Sequence, residues 1–355
     1  MTSHVRLGTM VAALAGSVCV GAGELDRAHG GSIRAAQGAR AATPIRVWID
    51  TDPAVGIPER DVDDGLALIQ AFHSPELVIR GVSVVFGNAP LADAFPIGQR
   101  VVERFGPRGL QVYRGGRGPE DLGRTTPASE ALAAALRREP LTILAIGPLT
   151  NMATILMDEP ALAERIRAVV AVAGRRPGQR FTTGTSNPRG HRDFNFEQDP
   201  DAFRVLLDRD IPLVLAPFEL SSKVWLTDTD VQRLAEGSQA ARWLAAPARA
   251  WSQTWRDVFD VDGFNPFDTL AVGYLTHPDL LTCETLPIAI ETGPDDVTEP
   301  RVQGTTAREK PYLIVSASLS AAGRRATYCF DVKPAFREVL LQRLGAARAI
   351  DASRR

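Results

Sequence analysis

The residues best suited to chemistry in this chain are acids. Asp50, Asp52, Asp63 and Asp64 all fall within VWIDTDPAVGIPERDVDDGLAL, near the start of the globular part. VWID reads as a short apolar strand and GLALIQAF as the first turns of a helix. The acids therefore stand at the C-terminal end of a strand and at the start of the next helix. In an open α/β sheet that edge is where ligands bind. Carboxylates crowded there repel one another unless positive charge lies between them. A bound cation relieves the repulsion, and an all-oxygen ligand set points to Ca²⁺ or Mg²⁺ rather than zinc. Asp63 and Asp64 have a simpler alternative, since acids at a helix N-terminus cap free N–H groups and oppose the dipole. Capping does not explain Asp50 and Asp52, which alternate with Thr51 at the strand end and precede Pro53.

The elements that must position these acids alternate from Ile45 onward. IRVWID, LVIRGVSVVFG, LQVYRG, LTILAIG, IRAVVAVAG and IPLVLAPF read as strands. Between them, DDGLALIQAFHS, DAFPIGQRVVERFG, SEALAAALRREP, LTNMATILMDEPALAERI and DPDAFRVLLDRD read as helices, and RRPGQRFTTGTSNPRGHRDFN as a long polar loop. Strands alternating with helices predict an α/β fold, a mainly parallel central sheet flanked by helices with a Rossmann-like core. The segment from Leu226 to about Thr276 is helix-rich and reads as a helical insertion. YLIVSAS and RATYCFDV return to strand, and AFREVLLQRLG is a last helix. No linker interrupts this run, so residues 45–345 are expected to form one domain, with 346–355 a C-terminal tail.

The 355-residue chain carries 40 basic and 42 acidic residues, with no basic stripe, which argues against nucleic-acid binding. Residues 1–44 differ in character. LGTMVAALAGSVCVGAG is apolar but too short and glycine-rich for a membrane span, and it resembles a signal-peptide core. The alternatives are a secreted or periplasmic protein with a cleaved leader, which is preferred, and a cytoplasmic one with an N-terminal extension. Cys19, Cys283 and Cys329 show no metal spacing; Cys283 and Cys329 are expected as buried free thiols, with a bridge as the alternative.

The start DTDP…DDGLALIQAF resembles the signature of the inosine–uridine nucleoside hydrolase family, D-x-D-P-G-x-D-D before the first helix. VVFGN, LAIGPLTNMA, RDFNFEQDPDA and NPFDTLAV resemble four later blocks of that family, in order, between about Ile45 and Leu344. The resemblance implies a Ca²⁺-dependent N-ribosidase that splits a nucleoside into ribose and free base, through water held by the metal and an oxocarbenium-like transition state. It makes Asp52 both a metal ligand and the acid that takes the water's proton. Asp64, Asp268 and the main-chain carbonyl of Ile146 complete the metal set. Asp63, Asn88, Asp193 and Asn195 would hold the ribose hydroxyls, and Asp50 would support the cluster from behind. Family members are commonly dimers or tetramers. The chemistry is consistent: carboxylates favour the positive charge that develops on the sugar ring, and a cation among them orders water and lowers its pKa.

This chain departs from the pattern in three places. Nine residues, AVGIPERDV, separate Pro53 from Asp63, about seven more than the pattern has. That loop is expected to bulge into solvent, although Glu59 or Asp61 on it could reach substrate. Asp193 replaces the family's Glu and is one methylene shorter. Phe267 replaces the histidine before the C-terminal Asp, and no second family histidine has a counterpart. His191 could serve in their place, with an exposed loop histidine as the plainer reading. Trp251, Trp255 and Phe264 could stack on a base or pack in the core. Two rivals remain, a non-catalytic nucleoside- or sugar-binding relative and a DxD phosphohydrolase of the haloacid dehalogenase kind. The second fits poorly, because Pro53 follows the DxD.

Overall fold

The computed structural model describes residues 43–184, 188–297 and 308–346. The expected leader and most of the expected tail lie outside the described residues. The strands are β1 Ile45–Thr51, β2 Leu77–Val84, β3 Val112–Arg114, β4 Leu141–Ala145, β5 Ile166–Ala171, the short pair β6 Thr182–Thr183 and β7 Arg189–Gly190, β8 Leu213–Leu215, β9 Leu281–Pro294, β10 Glu309–Val315 and β11 Arg325–Val332. Nine of them form one sheet in the order β10-β9-β11-β8-β5-β4-β1-β2-β3. From β11 to β3 the pairings are parallel, and β9 and β10 join antiparallel at one end.

The first helices are α1 Asp63–Phe72, α2 Leu91–Phe105, α3 Pro127–Arg138 and α4 Thr150–Asp158. They are followed by α5 Phe194–Gln198, α6 Pro200–Leu207, α7 Phe218–Ser221, α8 Asp228–Glu236, α9 Gln239–Phe259, α10 Thr269–Thr276 and α11 Ala335–Gly345. The central strands β1 and β4 are mostly apolar where they cross the core, and Val47, Ile49, Ile143 and Leu144 are fully buried. A strand covered by helices on both faces needs such a continuous apolar run. One hydrophobic cluster packs α1 and α9 on one side of the sheet, and a second packs α4 and α6 on the other.

The order of strands reverses beside β1. The chain runs outward through β2 and β3, then returns to β4 on the opposite flank of β1. A crevice opens at such a point outside the carboxyl ends of the strands. Asp50 lies near the end of β1 and Asp52 just past it, Asn88 follows β2, Ile146 follows β4 and Val172 follows β5, so all of them stand at the edge of the sheet where this crevice opens.

Four expectations need correction. The helix expected over 149–166 stops at Asp158, and a 3₁₀ turn over Pro160–Arg165 follows, because Pro160 disfavours helical backbone at Glu159. The strand β9 was not anticipated. Its Thr, Glu and Pro content hides the alternation, which is plain only at Leu286 and Ile288. The polar loop over 175–195 contains the β6–β7 pair and the start of α5. Cys283 and Cys329 are not free thiols: they are directly paired across β9 and β11 and joined as a disulfide.

Candidate active site

Asp64 is the best-anchored acid of the cluster. The turn into α1 carries it back under the end of β1, where its Oδ1 accepts the Asp52 backbone N–H at 3.0 Å and the Thr51 hydroxyl. Its Oδ2 accepts Asn88 Nδ2 at 3.1 Å. Asp52 accepts the Asn88 backbone N–H through Oδ2 at 2.7 Å. Two glycines let backbone come this close. A Cβ on Gly87 would lie 1.9 Å from Asp52 Oδ2, and one on Gly147 would lie 2.9 Å from Oδ1. Asp63 is held at both ends, Oδ1 by the Asp64 N–H at 3.0 Å and Oδ2 by the Asp268 N–H at 3.3 Å. That last bond ties α1 to the start of α10, 205 residues along the chain.

One carboxylate oxygen from each of Asp63, Asp64 and Asp268 lies within 4.8 Å of the others. Asp52 is joined to this group through its N–H to Asp64. Asp52, Asp64 and Asp268 are 3% exposed or less. Burial, and then mutual repulsion, pushes the carboxyls of Asp52 and Asp268 well above the usual range and that of Asp64 up to about 7. Asp52 Oδ1 and Asp268 Oδ2 are buried and meet no hydrogen-bond donor among the described residues. Oxygen donors in excess negative charge, two of them unpartnered, fit a hard divalent cation and suit zinc poorly.

Asp50 sits behind this group. It accepts Ser83 Oγ at 2.6 Å and Asn151 Nδ2 at 2.9 Å, and burial raises its carboxyl to about 7. Asn195 points Nδ2 at the carbonyls of Ile146, 3.2 Å away, and Val172, 3.3 Å away. Asp193 accepts the Gly174 N–H at 2.8 Å, and burial lifts its carboxyl to about 7 against the pull of Arg175 and Lys310. A buried ion network fixes the segment that carries it. Glu197 accepts the Asp193 N–H at 3.0 Å and pairs with Lys310 at 2.7 Å and with Arg192 at 2.7 Å.

A cavity of about 280 Å³ has Asp63, Asn88, Ile146, Asp193, Asn195 and Asp268 among its lining residues, while Asp50, Asp52 and Asp64 are fully buried beside it. Away from the acids its wall is aromatic. His191 packs with ring centroids 4.9 Å from Phe259, 5.3 Å from Phe218 and 6.0 Å from Trp255. It is not the exposed loop residue its context suggested. Burial lowers its pKa to about 4, so the ring is neutral at neutral pH, and its Nε2 is buried without a partner among the described residues. Phe267, standing where the family has histidine, lines the same wall. Trp251 and Trp255 line it too, whereas Phe264 is fully buried in the core.

The segment 54–62 is exposed at Gly56, Pro58, Glu59 and Arg60, as an outward bulge requires, but it is anchored at its base. Ala54 and Val55 are buried, with Val55 packed over Gly65, and Glu59, Arg60 and Asp61 reach the cavity. Asp61 accepts the N–H groups of Val62 at 2.6 Å and Asp63 at 3.0 Å, which opens α1. Thr51, Ser83, Phe181, Phe218 and Phe259 escaped sequence reasoning. Each is an ordinary strand, loop or helix residue until the fold brings it here. Asn151 carried a signal, since it lies in the LTNMA block.

Residues 47–325 match the family described as inosine-uridine preferring nucleoside hydrolase. The chain belongs to that family, whose members are hydrolases acting on N-glycosyl compounds. It is 27% identical over 278 residues to the non-specific ribonucleoside hydrolase RihC of Escherichia coli (strain SMS-3-5 / SECEC), covering 70% of this chain and 84% of that one. It is 26% identical to uridine nucleosidase 1 of Arabidopsis thaliana, covering 70% and 78%. Among solved structures, the plant nucleoside hydrolase PpNRh1 superposes with a TM-score of 0.69 at 20% identity, covering 86% of this chain and 100% of that one. The purine-preferring ribonucleoside hydrolase from Gardnerella vaginalis gives 0.65 at 20% identity, covering 84% and 98%.

Proposed function

We propose that the protein hydrolyses the N-glycosidic bond of ribonucleosides, releasing ribose and the free base. The observation that carries this reading is one cavity with buried carboxylates and amides at one end and stacked rings at the other. Such a site matches a polar sugar joined to a flat base. Asp52, Asp64, Asp268 and the Ile146 carbonyl would hold a Ca²⁺, which when bound keeps the acids ionised and makes nearby water more acidic. Asp52 joins Asp64 and Asp268 in that set because its buried Oδ1, like Asp268 Oδ2, meets no hydrogen-bond donor among the described residues, and Asp63, which lines the cavity, is left to the sugar.

Asp52 acts as the general base. It takes a proton from water as the water oxygen bonds to the anomeric carbon and the C–N bond breaks. The electron pair of that bond leaves with the base, which takes up a proton from solvent, while the proton held by Asp52 returns to solvent, so that one water is consumed in all. Positive charge on the ring is stabilised by the surrounding carboxylates. Asp63, Asn88, Asp193 and Asn195 receive the hydroxyls and fix the sugar in a reactive pose. Asp50 keeps the end of β1 in place. His191 and Trp255 meet the leaving base. A pKa of about 4 makes His191 a neutral hydrogen-bond partner rather than a cationic acid.

A second reading, a nucleoside-binding protein without turnover, draws on the same neutral His191 and on Phe267. Ribose release from a nucleoside panel and from p-nitrophenyl riboside, with and without a calcium chelator, separates the two. Chelator-sensitive release from natural nucleosides is the expected result. Failure on every substrate, the activated one included, would reject hydrolysis. An Asp52→Asn variant that folds yet keeps full activity would reject Asp52 as the base.

A further inference from the structure

A second cavity of about 370 Å³ adjoins the first, and Glu59, Trp251 and Phe259 line both. It runs between the inserted segment 54–62 and the outer face of α9, where Thr254, Asp257 and Val258 complete its wall. A solvated loop would have no reason to form such a groove.

Three features mark it as built for a ligand. Its apolar part is solvent-facing: Val258 is 37% exposed, one of three large apolar side chains so exposed among the described residues. Glu59 is held at φ 60°, one of two non-glycine residues with positive φ among those described. Left-handed backbone is uncommon in a residue of this type and persists only where its surroundings enforce it. Finally, Glu59 and Asp257 bring two carboxylates to the groove; Asp257 accepts Gln253 Nε2 at 2.7 Å, and neither acid is in an ion pair among the described residues. An apolar floor beside two carboxylates suits an apolar chain that ends in a cation or a hydrogen-bond donor.

We propose that this groove is a second aglycone subsite, which takes ribosides whose base carries an apolar substituent ending in a cationic or hydrogen-bond-donating group. The proposal rests on the nucleoside-hydrolase reading of the first cavity, whose aromatic residues Trp251 and Phe259 also line the groove. The segment 54–62 then acts in specificity: its buried half, Ala54 and Val55, anchors it to the core, and its outer half supplies one side of the groove.

The test compares kcat/KM of the full chain for adenosine, for N6-hexyl- and N6-(6-aminohexyl)adenosine, and for the same two substituents at C2. At least one attachment point is expected to exceed adenosine by about tenfold, which burial of roughly two methylenes supplies. The amine should exceed the plain alkyl chain about threefold at low salt, and the gap should close at high salt. Val258→Arg, which places a bulky cation on the exposed floor, should return the substituted-to-unsubstituted ratio to about one. Glu59→Gln should remove the advantage of the amine while leaving that of the alkyl chain. The proposal is overturned if no substituted riboside exceeds adenosine, or if a preference exists and Val258→Arg leaves it intact. If no riboside is cleaved, the hydrolase reading fails separately. Calorimetric binding of adenine against the substituted adenines then decides for the groove: tighter binding of a substituted base supports it, and equal or weaker binding overturns it.

Discussion

Replacing His191 with Phe should move stability and activity in opposite directions. The imidazole lies among Phe218, Phe259 and Trp255, a setting that a phenyl ring fits. Its Nε2 is buried with no partner among the described residues, and an unsatisfied polar atom of this kind costs about 1–3 kcal/mol. His191→Phe removes that atom, so the free protein should gain about 1 kcal/mol near pH 7 once imperfect packing is discounted. The gain should depend on pH. Burial lowers the folded pKa from 6.5 to about 4, so the unfolded chain takes up this proton first as pH falls. The wild type therefore loses stability between pH 6.5 and pH 4, while the variant has no such group to titrate. Its advantage should widen by up to about 3 kcal/mol over that window. Against natural ribonucleosides the variant should lose about tenfold in kcat/KM, the equivalent of one hydrogen bond to the leaving base. Against p-nitrophenyl riboside, whose leaving group needs no such help, it should lose little. Urea unfolding at several pH values and steady-state kinetics on both substrates test this. A less stable variant, an equal loss on both substrates, or a wild-type rate that falls with the deprotonation of a group near pH 6.5 would refute the assignment.

Other perturbations bear on the acids and on the far end of the sheet. Gly87→Ala places a methyl 1.9 Å from Asp52 Oδ2, so the carboxylate must shift; turnover should fall roughly 100-fold with the circular dichroism unchanged, and an unaffected rate would mean that Asp52 is not the reacting acid. Asp50, Asp64 and Asp193 have folded pKa values raised to about 7, so without a cation their folded forms keep protons that the unfolded chain releases above about pH 4. Stability of the chelated protein should therefore fall as pH rises through 7, and Ca²⁺ at 100 times its Kd should restore about 2.7 kcal/mol at pH 8; identical melting at pH 8 with and without Ca²⁺ would count against the metal site. 2′-Deoxynucleosides should be cleaved at least 100-fold more slowly than ribonucleosides, and equal rates would remove the hydroxyl contacts assigned to Asp63, Asn88, Asp193 and Asn195. Reduction of Cys283–Cys329 should lower stability by about 2–4 kcal/mol without changing KM, since the bridge joins β9 to β11; an unchanged melting temperature on verified reduction would contradict this.

The parts of the fold that could be read from the chain were those with strong local periodicity. The run from IRVWID to IPLVLAPF alternates apolar strands with amphipathic helices, which is enough to require a parallel sheet. β9 failed that test because its Thr, Glu and Pro residues carry little apolar signal, and its pairing with β10 and β11 supplies the missing stabilisation. The cysteines were undecidable from spacing, since the bridge depends on a register that places Cys283 opposite Cys329.

The family resemblance of five ordered motifs brought Asp52, Asp63, Asp64, Asn88, Asn195 and Asp268 into one candidate site, whereas the alternation of elements by itself placed only Asp50, Asp52, Asp63 and Asp64 at a strand end and the start of the next helix. Residue identity likewise settled that the site is rich in oxygen donors and that Phe267 is no acid. Tertiary structure decided what surrounds them. Burial makes His191 neutral, and no local pattern encodes burial. Segment 54–62 is tied down at Ala54 and Val55 because Val55 finds a place over Gly65 on the core, which its Gly, Pro and charged residues do not announce. The aromatic wall draws on Phe181, Phe218, Trp255 and Phe267, residues spread over four segments of the chain. Only long-range packing brings those segments together, and their separation along the chain leaves no periodic trace.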